Sequence, residues 1–214
     1  MGVRLVMLGP PGAGKGTQAE RVARERGVPR VSTGDMFREA VQAGTPLGQA
    51  AKAVMESGGL VGDDIVIAIV RERLARADAA TGFVLDGFPR TVAQAQALDE
   101  SLDDAEPLVV VDIEVPSEAL IRRLGARRIC GTCSTPAGPT DERCKKCGGP
   151  LVLRKDDNAD VVRERLRVYE RDTIPLVEFY RPRPTFRAVD GDQPPDGVAR
   201  DIAAAIAAVL GAQQ

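Results

Sequence analysis

The sequence predicts an α/β protein in which a parallel sheet is covered by helices on both faces. Apolar runs of strand length alternate with segments of helical periodicity through most of the 214 residues. The first of these runs ends directly in the glycine-rich stretch Gly9–Thr17, before a helical segment begins. Strands that alternate with helices form parallel sheets with both faces covered. The length and the 43% hydrophobic content allow one sizeable core, or one core with a small insertion.

The amino-terminal half contains three of the five candidate strands. These three strands are predicted at Leu5–Leu8, Arg30–Ser32 and Phe83–Leu85. Helical patterns separate them at Thr17–Glu25, Asp35–Ala43, Leu47–Glu56 and Asp63–Ala77. The last of these begins with Asp63 and Asp64, which we predict as caps because carboxylates accept from the free amides of a first helical turn.

The carboxy-terminal half contains the other two candidate strands, at Leu108–Val115 and Phe186–Val189. Helices are predicted at Thr91–Ser101, Pro116–Ala126, Ala159–Arg171, Pro175–Phe179 and Gly197–Leu210. In the last of them the apolar residues Ile202, Ile206 and Val209 share one face. The stretch Arg128–Leu153 has almost no helical periodicity, and we interpret it as a small inserted module.

Composition excludes several classes of protein. The formal charge is −2, from 29 basic and 31 acidic residues, so nothing in the overall charge attracts nucleic acid or an anionic membrane. Apolar runs stay well short of the roughly 20 residues that a membrane-spanning helix needs. Residues 1–4 lead into a strand rather than into a signal peptide. These features predict a cytoplasmic protein with no nucleic-acid or membrane partner.

The stretch Gly9–Thr17 predicts a phosphate site. It fits the pattern G-x-x-x-x-G-K-[ST] at Gly9, Gly14 and Lys15, but Gly16 follows the lysine and the hydroxyl comes one position later, at Thr17. A strand that ends in glycines and continues as a helix exposes backbone N–H groups at the positive helix end, which favours a polyphosphate. The first hypothesis is therefore a nucleotide.

All four cysteines lie in the inserted module, in two C-x-x-C pairs separated by ten residues. They are Cys130, Cys133, Cys144 and Cys147. This residue choice and spacing suit tetrahedral zinc, and four protein ligands leave no position for substrate, so the predicted role is structural. A segment this short buries little apolar surface, and bound zinc would supply its folding energy. A disulfide pair or iron ligation remains an alternative.

A series of motifs runs along almost the whole chain. It begins with Gly9–Gln18, which has the form G-x-P-G-x-G-K-G-T-Q. The others are, in order, Val31–Met36, Gly82–Thr91, Arg123 with Arg127 and Arg128, the cysteine module, Arg154–Asp157 and Arg163–Leu166. In its residues and in its order this series resembles the adenylate kinases and their nucleoside-monophosphate kinase relatives, whose chains open with the same glycine-rich form.

The resemblance implies a P-loop fold with a doubly wound five-stranded sheet and two insertions. Residues 1–32, 63–125 and 159–214 would form the CORE, residues 33–62 the AMP-binding helical region, and residues 126–158 a zinc-binding LID. In adenylate kinases, closure of such a lid excludes water from the site. Closure here would carry Arg127 and Arg154 inward. The stretch between the two cysteine pairs is shorter than the family pattern and lacks its aromatic positions, so the lid's contacts to adenine stay open.

The implied activity is the reversible, magnesium-dependent reaction ATP + AMP ⇌ 2 ADP, catalysed by a monomer. A monophosphate acceptor is already anionic, so no general base is required, and the sequence contains no histidine. Two alternatives are kept. One is a UMP or CMP kinase on the same fold. The other is a zinc-ribbon nucleic-acid-binding protein with a non-catalytic phosphate loop, against which stand the near-neutral charge and the 3% aromatic content.

The resemblance also implies which residues bind the donor. Lys15 would reach the β- and γ-phosphates, and Asp86 would act on Mg²⁺ through bound water. Arg127, Arg154 and Arg165 would close over the transferring group, while Arg123, one helical turn before Arg127, would lie along the adenine. The backbone cradle for ATP would be formed by Gly12, Ala13, Gly14, Lys15, Gly16 and Thr17.

On the acceptor side, Arg38 and Arg90 would bind the phosphate of AMP. Gln94 would recognise the base, because its amide can both accept from the adenine amino group and donate to a ring nitrogen. Asp35 is open between a helix cap and a place near the water shell of the metal. The full set implied for AMP is Thr33, Arg38, Gly59, Leu60, Val61, Gly87, Arg90, Gln94, Arg154 and Arg165.

Overall fold

The computed structural model describes residues 2–103, 106–125, 127–133, 135–138, 140–153 and 159–212. A parallel five-stranded sheet forms its centre, and its strands are β1 (Arg4–Leu8), β2 (Arg30–Ser32), β3 (Phe83–Asp86), β4 (Leu108–Glu114) and β7 (Phe186–Asp190). They lie side by side in the order β2-β3-β1-β4-β7. The predicted five strands and their parallel arrangement are confirmed.

Helices cover both faces of this sheet. In chain order they are α1 (Lys15–Arg26), α2 (Thr33–Gln42), α3 (Pro46–Ser57), α4 (Asp63–Leu74), α5 (Val92–Ser101), α6 (Ser117–Gly125), α7 (Ala159–Val168), α8 (Ile174–Tyr180) and α9 (Pro195–Gly211). Two shorter pieces are a 3₁₀ turn at Ala77–Ala79 and a π-helical turn at Tyr169–Thr173. The described helices match the nine predicted ones, with ends that differ by a few residues.

Two hydrophobic clusters lie on opposite faces of the sheet. The side chains of β1 alternate between them: Leu5 and Met7 belong to the cluster under α1 and α9, and Val6 and Leu8 to the cluster under α2, α4, α5 and α8. A strand buried on both faces is apolar at consecutive positions, which explains the unbroken run at the amino terminus. Strand order reverses at β1, and the carboxyl ends beside such a reversal form the usual ligand crevice of doubly wound sheets.

Three local predictions are wrong. Helix α4 has Gly62 at its N-cap, and Asp63 and Asp64 lie inside its first turn. Helix α7 ends at Val168, and the chain continues as the π-helical turn instead of a helix to Arg171. The third error concerns α6, which ends at Gly125, so Arg127 lies beyond the helix and shares no helical face with Arg123.

The inserted module contains a short two-stranded antiparallel sheet that the sequence did not predict. Its strands are β5 (Arg128–Cys130) and β6 (Leu151–Leu153), paired so that Cys130 lies opposite Leu151. The pairing joins the two ends of the module. The cysteine pairs therefore extend from a closed hairpin base.

Candidate active site

The phosphate loop connects β1 to α1 at the carboxyl edge of the sheet. Gly12 and Gly14 have φ values of +89° and +93°, in the left-handed region that favours glycine. A Cβ on Gly12 would also lie 3.0 Å from Cγ of Leu124, so the loop approaches α6 closely. This geometry turns the first amides of α1 toward the crevice, as an anion site requires.

Lys15 is folded back onto this loop. Its Nζ donates to the backbone oxygens of Gly9 at 2.6 Å and Pro10 at 2.9 Å. Burial lowers the pKa of Lys15 to about 7; Asp86 opposes this shift, whereas Arg90, Arg165 and Arg127 add to it. Four cationic side chains therefore lie close enough to interact electrostatically, and a polyphosphate among them would restore the positive charge of Lys15.

An ion pair lies directly beneath the glycine that follows Lys15. A Cβ on Gly16 would lie 3.3 Å from Oδ2 of Asp86 and 3.4 Å from Nη2 of Arg30. Those two atoms form a hydrogen-bonded ion pair of 2.7 Å. A serine or threonine at this position, as in the common form of the loop, would therefore crowd this pair. Asp86 ends β3, as predicted.

A cleft brings together the described residues that were predicted to bind AMP. Those residues are Thr33, Arg38, Gly59, Leu60, Val61, Gly87, Arg90, Gln94 and Arg165. They come from α2, the turn before α4, the segment after β3, α5 and α7. The tenth predicted residue, Arg154, lies outside the described residues.

A second cleft continues from the first toward the phosphate loop. It is lined by Gly9, Pro11 and Lys15 on one side and by Tyr169 and Thr173 of the π-helical turn on the other. Five residues line both clefts: Gly58, Leu60, Gly87, Arg90 and Arg165. Two bound phosphates, one in each cleft, would therefore meet at the guanidinium groups of Arg90 and Arg165.

The backbone around Gly87 holds the acceptor residues in place. Its carbonyl oxygen accepts from Oγ1 of Thr33 at 2.8 Å and from Nε of Arg90 at 2.9 Å. The carbonyl oxygen of Arg90 in turn accepts from Oγ1 of Thr173 at 3.0 Å. The π-helical turn is thus tied to the end of β3, and the position of Arg90 is fixed from two directions.

Gln94 is buried and already has two protein partners. Its Oε1 accepts from the backbone N–H of Arg90 at 2.8 Å, and its Nε2 donates to Oδ1 of Asp63 at 2.8 Å. A glutamine amide offers two N–H donors and two acceptor positions, so one of each remains for a ligand. These contacts fix which end of the amide is which. Asp63, predicted as a cap, instead orients a residue of the cleft.

Asp35 is not a cap either. Ser32 is the N-cap of α2 and accepts from the backbone N–H of Asp35 at 3.4 Å. The Asp35 carboxylate pairs with Arg38 and, at 2.9 Å, with Arg30. Burial by itself raises the pKa of Asp35, but the two arginines outweigh burial and hold this pKa below its ordinary value.

The arginines predicted to lie on the donor side occupy separate places. Arg123 donates to the carbonyl oxygen of Gly191 at 3.0 Å and approaches Oδ1 of Asp192 at 3.3 Å. It thus connects α6 with the loop after β7, which the sequence analysis did not include in the site. Arg127 follows α6 and acts on the charge of Lys15. Arg154 cannot be compared with them, because it lies outside the described part of the chain.

The four cysteine sulfurs form one cluster. All four Sγ atoms lie within 4.8 Å of one another, and three pairs are 3.3 to 3.5 Å apart. The cysteines are free thiols rather than disulfides. Four sulfurs around a common centre match the donor set of a tetrahedral metal site. The predicted ligand set is thus brought together and could hold a metal ion.

Sequence reasoning missed Arg30, Asp63, Tyr169, Thr173 and the loop at Gly191. None of them belongs to a phosphate-binding or metal-binding pattern, and Asp63 resembled a cap by its place before an apolar run.

Among the described helices, none has the length and apolar character needed to cross a membrane.

The fold and the site define a phosphate-loop enzyme of the nucleoside-monophosphate kinase class. The family model of adenylate kinase matches residues 7–184 of the chain. The chain belongs to the adenylate kinase family.

Curated relatives match over nearly the whole length of the chain. An adenylate kinase of Archaeoglobus fulgidus is 49% identical over 210 residues, which cover 94% of this chain and 97% of the relative. One of Moorella thermoacetica is 50% identical over 201 residues, covering 89% and 92%. One of Symbiobacterium thermophilum is 46% identical over 214 residues, covering 96% and 99%.

Proposed function

We propose that this protein transfers the terminal phosphoryl group of ATP to AMP, reversibly and with Mg²⁺, and so interconverts ATP and AMP with two ADP. The observation that supports this most directly is the pair of adjoining clefts. One is lined by the residues implied for AMP, the other by the phosphate loop with Lys15, and Arg90 and Arg165 line both. This arrangement suits in-line transfer between two phosphates.

The chain's own residues would act by position and charge. Lys15 would leave the carbonyl oxygens of Gly9 and Pro10 for the donor phosphates. Arg90 and Arg165 would neutralise the charge that spreads over the transferred group, a task for which planar guanidinium groups are suited. The acceptor oxygen is anionic at neutral pH, so no residue has to remove a proton.

Asp86 fits the role predicted for it at Mg²⁺. It ends β3 beside Gly16, and its electrostatic influence reaches Lys15. Carboxylates bind Mg²⁺ directly or through its water molecules, and bound Mg²⁺ neutralises the nucleotide phosphates. Asp86 would hold this water shell beside the donor phosphates.

The four thiols suit zinc, and we propose zinc with a structural role in the segment 126–158. Cys130 and Cys144 are buried, although the module around them is small. A four-thiolate site would therefore supply much of the module's folding energy. We further propose that this segment is the LID, that residues 33–62 form the AMP-binding region, and that the remainder is the CORE of a cytoplasmic monomer.

Neither rival hypothesis gains support. The named relatives are adenylate kinases, and Gln94, which suits adenine, lines the acceptor cleft. The test is to assay AMP, CMP, UMP and GMP side by side with ATP and Mg²⁺. AMP should be strongly preferred, and a preference for CMP or UMP would overturn the proposal.

Three variants complete this test. Lys15→Met and Arg90→Ala should each lower turnover by about 10² to 10³, the usual effect of losing one contact that stabilises the transition state. Arg122→Ala is the matched control, because Arg122 is an exposed arginine of α6 and should leave turnover unchanged.

A further inference from the structure

Arg30 is a charged side chain inside the site that the phosphotransfer mechanism does not use. It lies at the start of β2, opposite Val84 of β3, while Asp86 lies two residues further along β3. Two residues of strand span about 6.6 Å, which an extended arginine side chain can cross. The guanidinium therefore runs along the sheet to its carboxyl edge and ends under the phosphate loop.

At that edge a single nitrogen of Arg30 joins two carboxylates. Its Nη2 lies 2.7 Å from Oδ2 of Asp86 and 2.9 Å from Oδ2 of Asp35, and its Nη1 lies 3.6 Å from Glu20. The Arg30 side chain is 17% exposed and that of Asp86 is 12% exposed, so water screens this pair weakly. Both carboxylates are thereby held in fixed positions.

The contacts continue from the donor side to the acceptor side. Asp35 also pairs with Arg38, which lines the acceptor cleft. The order Asp86, Arg30, Asp35, Arg38 thus links the carboxylate expected at the metal to an arginine expected at the AMP phosphate. Two negative and two positive charges balance within this series, and Arg30 supplies the positive charge between the two carboxylates.

Removing the charge of Arg30 would weaken the binding of phosphate in both clefts. Asp86 and Asp35 would keep their negative charges with one cation fewer. Asp86 would attract Lys15 away from the donor phosphates, because the two already interact. Asp35 would have only Arg38 as its remaining cation in this series and would hold it back from the acceptor phosphate.

We propose that Arg30 is a positioning residue that neutralises Asp86 and Asp35 and thereby lets both nucleotides bind before a metal is present. This inference rests on the proposed function for the identity of the nucleotides. Arg30 would act as a fixed counter-ion for Asp86 and Asp35 at the phosphate crevice and would touch neither nucleotide. A bound Mg²⁺ would take over part of this neutralisation.

The test measures binding rather than turnover. Isothermal titration calorimetry of ATP with EDTA, of ATP with Mg²⁺, and of AMP with EDTA gives three dissociation constants for each variant. In Arg30→Met, metal-free ATP and AMP should each bind ~10-fold more weakly, the size of effect that one unit charge has a few ångströms from a polyanion. Binding of ATP with Mg²⁺ should change less, so the dependence on Mg²⁺ should increase.

Two further variants separate charge from shape. Arg30→Lys keeps the charge and should bind metal-free ATP within about threefold of the parent. The double variant Arg30→Met/Asp35→Asn removes the carboxylate charge that would hold Arg38 back, so it should recover most of the lost affinity for AMP, whereas metal-free ATP should stay weakly bound beside Asp86. If Arg30→Met alone fails to fold, the ~10-fold loss of affinity for metal-free ATP is measured between Asp35→Asn and the double variant.

The matched control is Arg73→Met. Arg73 is 18% exposed and forms a two-bonded ion pair with Asp78 away from the clefts, so its loss tests a merely structural effect. It should leave all three constants unchanged. The proposal is overturned if Arg30→Met binds metal-free ATP within twofold of the parent, or if the double variant binds AMP no better than Arg30→Met. Failure of the parent to form ADP would overturn the proposed function alone, because these constants need no turnover.

Discussion

The side-chain amide of Gln94 donates to Oδ1 of Asp63 over 2.8 Å, while Oδ2 of the same carboxylate accepts from Oγ1 of Thr91 at 2.9 Å. Thr91 in turn caps α5 by accepting from the backbone N–H of Gln94. The residue expected to read the acceptor base is therefore oriented by a carboxylate from another helix. Gln94 lines the cleft, whereas Asp63 is not among the described residues that line it.

Replacing Asp63 by alanine should weaken the binding of AMP without affecting the binding of ATP. The Gln94 amide would lose a charged acceptor and the fixed direction of its N–H groups, and one unsatisfied buried donor costs about 1 to 3 kcal/mol. We expect the KM for AMP to rise about tenfold with the KM for ATP unchanged, measured by steady-state kinetics. Asp64→Ala, at the exposed neighbouring position, is the control. Equal increases in both KM values would argue against an orienting role.

Binding of ATP should take up a proton at Lys15. Its pKa is lowered to about 7 in the empty protein by burial, so at pH 8 the amine is mostly neutral. Phosphates favour the charged form and raise the pKa again. Calorimetry in buffers of different ionisation enthalpy should show uptake of nearly one proton at pH 8 and little at pH 6. Lys15→Met should abolish the difference, and equal uptake at both pH values would contradict it.

The same shift has a consequence for stability. The pKa of Lys15 is lower in the folded protein than in the unfolded chain, so between about pH 7 and 10.5 the unfolded state binds more protons. The contribution of Lys15 to the free energy of unfolding should therefore rise with pH across this window. Denaturant titrations of the nucleotide-free protein and of Lys15→Met isolate this contribution, since the difference in free energy of unfolding between the two should rise with pH.

A methyl group on Gly16 should disturb the Arg30–Asp86 pair. The added Cβ would lie 3.3 to 3.4 Å from both partners, so one of them must shift away from the phosphate loop. We expect Gly16→Ala to lower kcat/KM about tenfold, because small misplacements in a charged site are costly to catalysis. The melting temperature should fall only slightly. Gly125→Ala is the control, since a Cβ there meets open space.

Removal of one buried thiol should release the metal and loosen the inserted module. The parent should contain about one zinc per chain by elemental analysis of protein purified without added zinc. Cys144→Ser should lose the metal, and limited proteolysis should then cut the chain between residues 127 and 153. Lys146→Ser alters an exposed position of the same loop and should behave as the parent does. If the analysis finds iron instead of zinc, the proposed identity of the metal is wrong.

Several elements were predictable because their signals are local. The order of strands and helices follows from apolar periodicity, and the phosphate loop follows from Gly9, Gly14 and Lys15. The cysteine pairs share one short segment, so their convergence needed little knowledge of the fold. Helix ends were less predictable, as α4 and α6 show, because several residue types satisfy a cap equally well.

By itself, the sequence determined that the chain has an α/β fold with a glycine-rich loop, a four-thiol module and a set of arginines suited to phosphate. Only the tertiary structure decided the partners of those residues. Gln94 meets Asp63 across 31 residues of chain, and Arg30 meets Asp86 across 56. Such contacts depend on strand register and side-chain direction. Periodicity and motif spacing describe one segment at a time, so they carry no information about which segments meet.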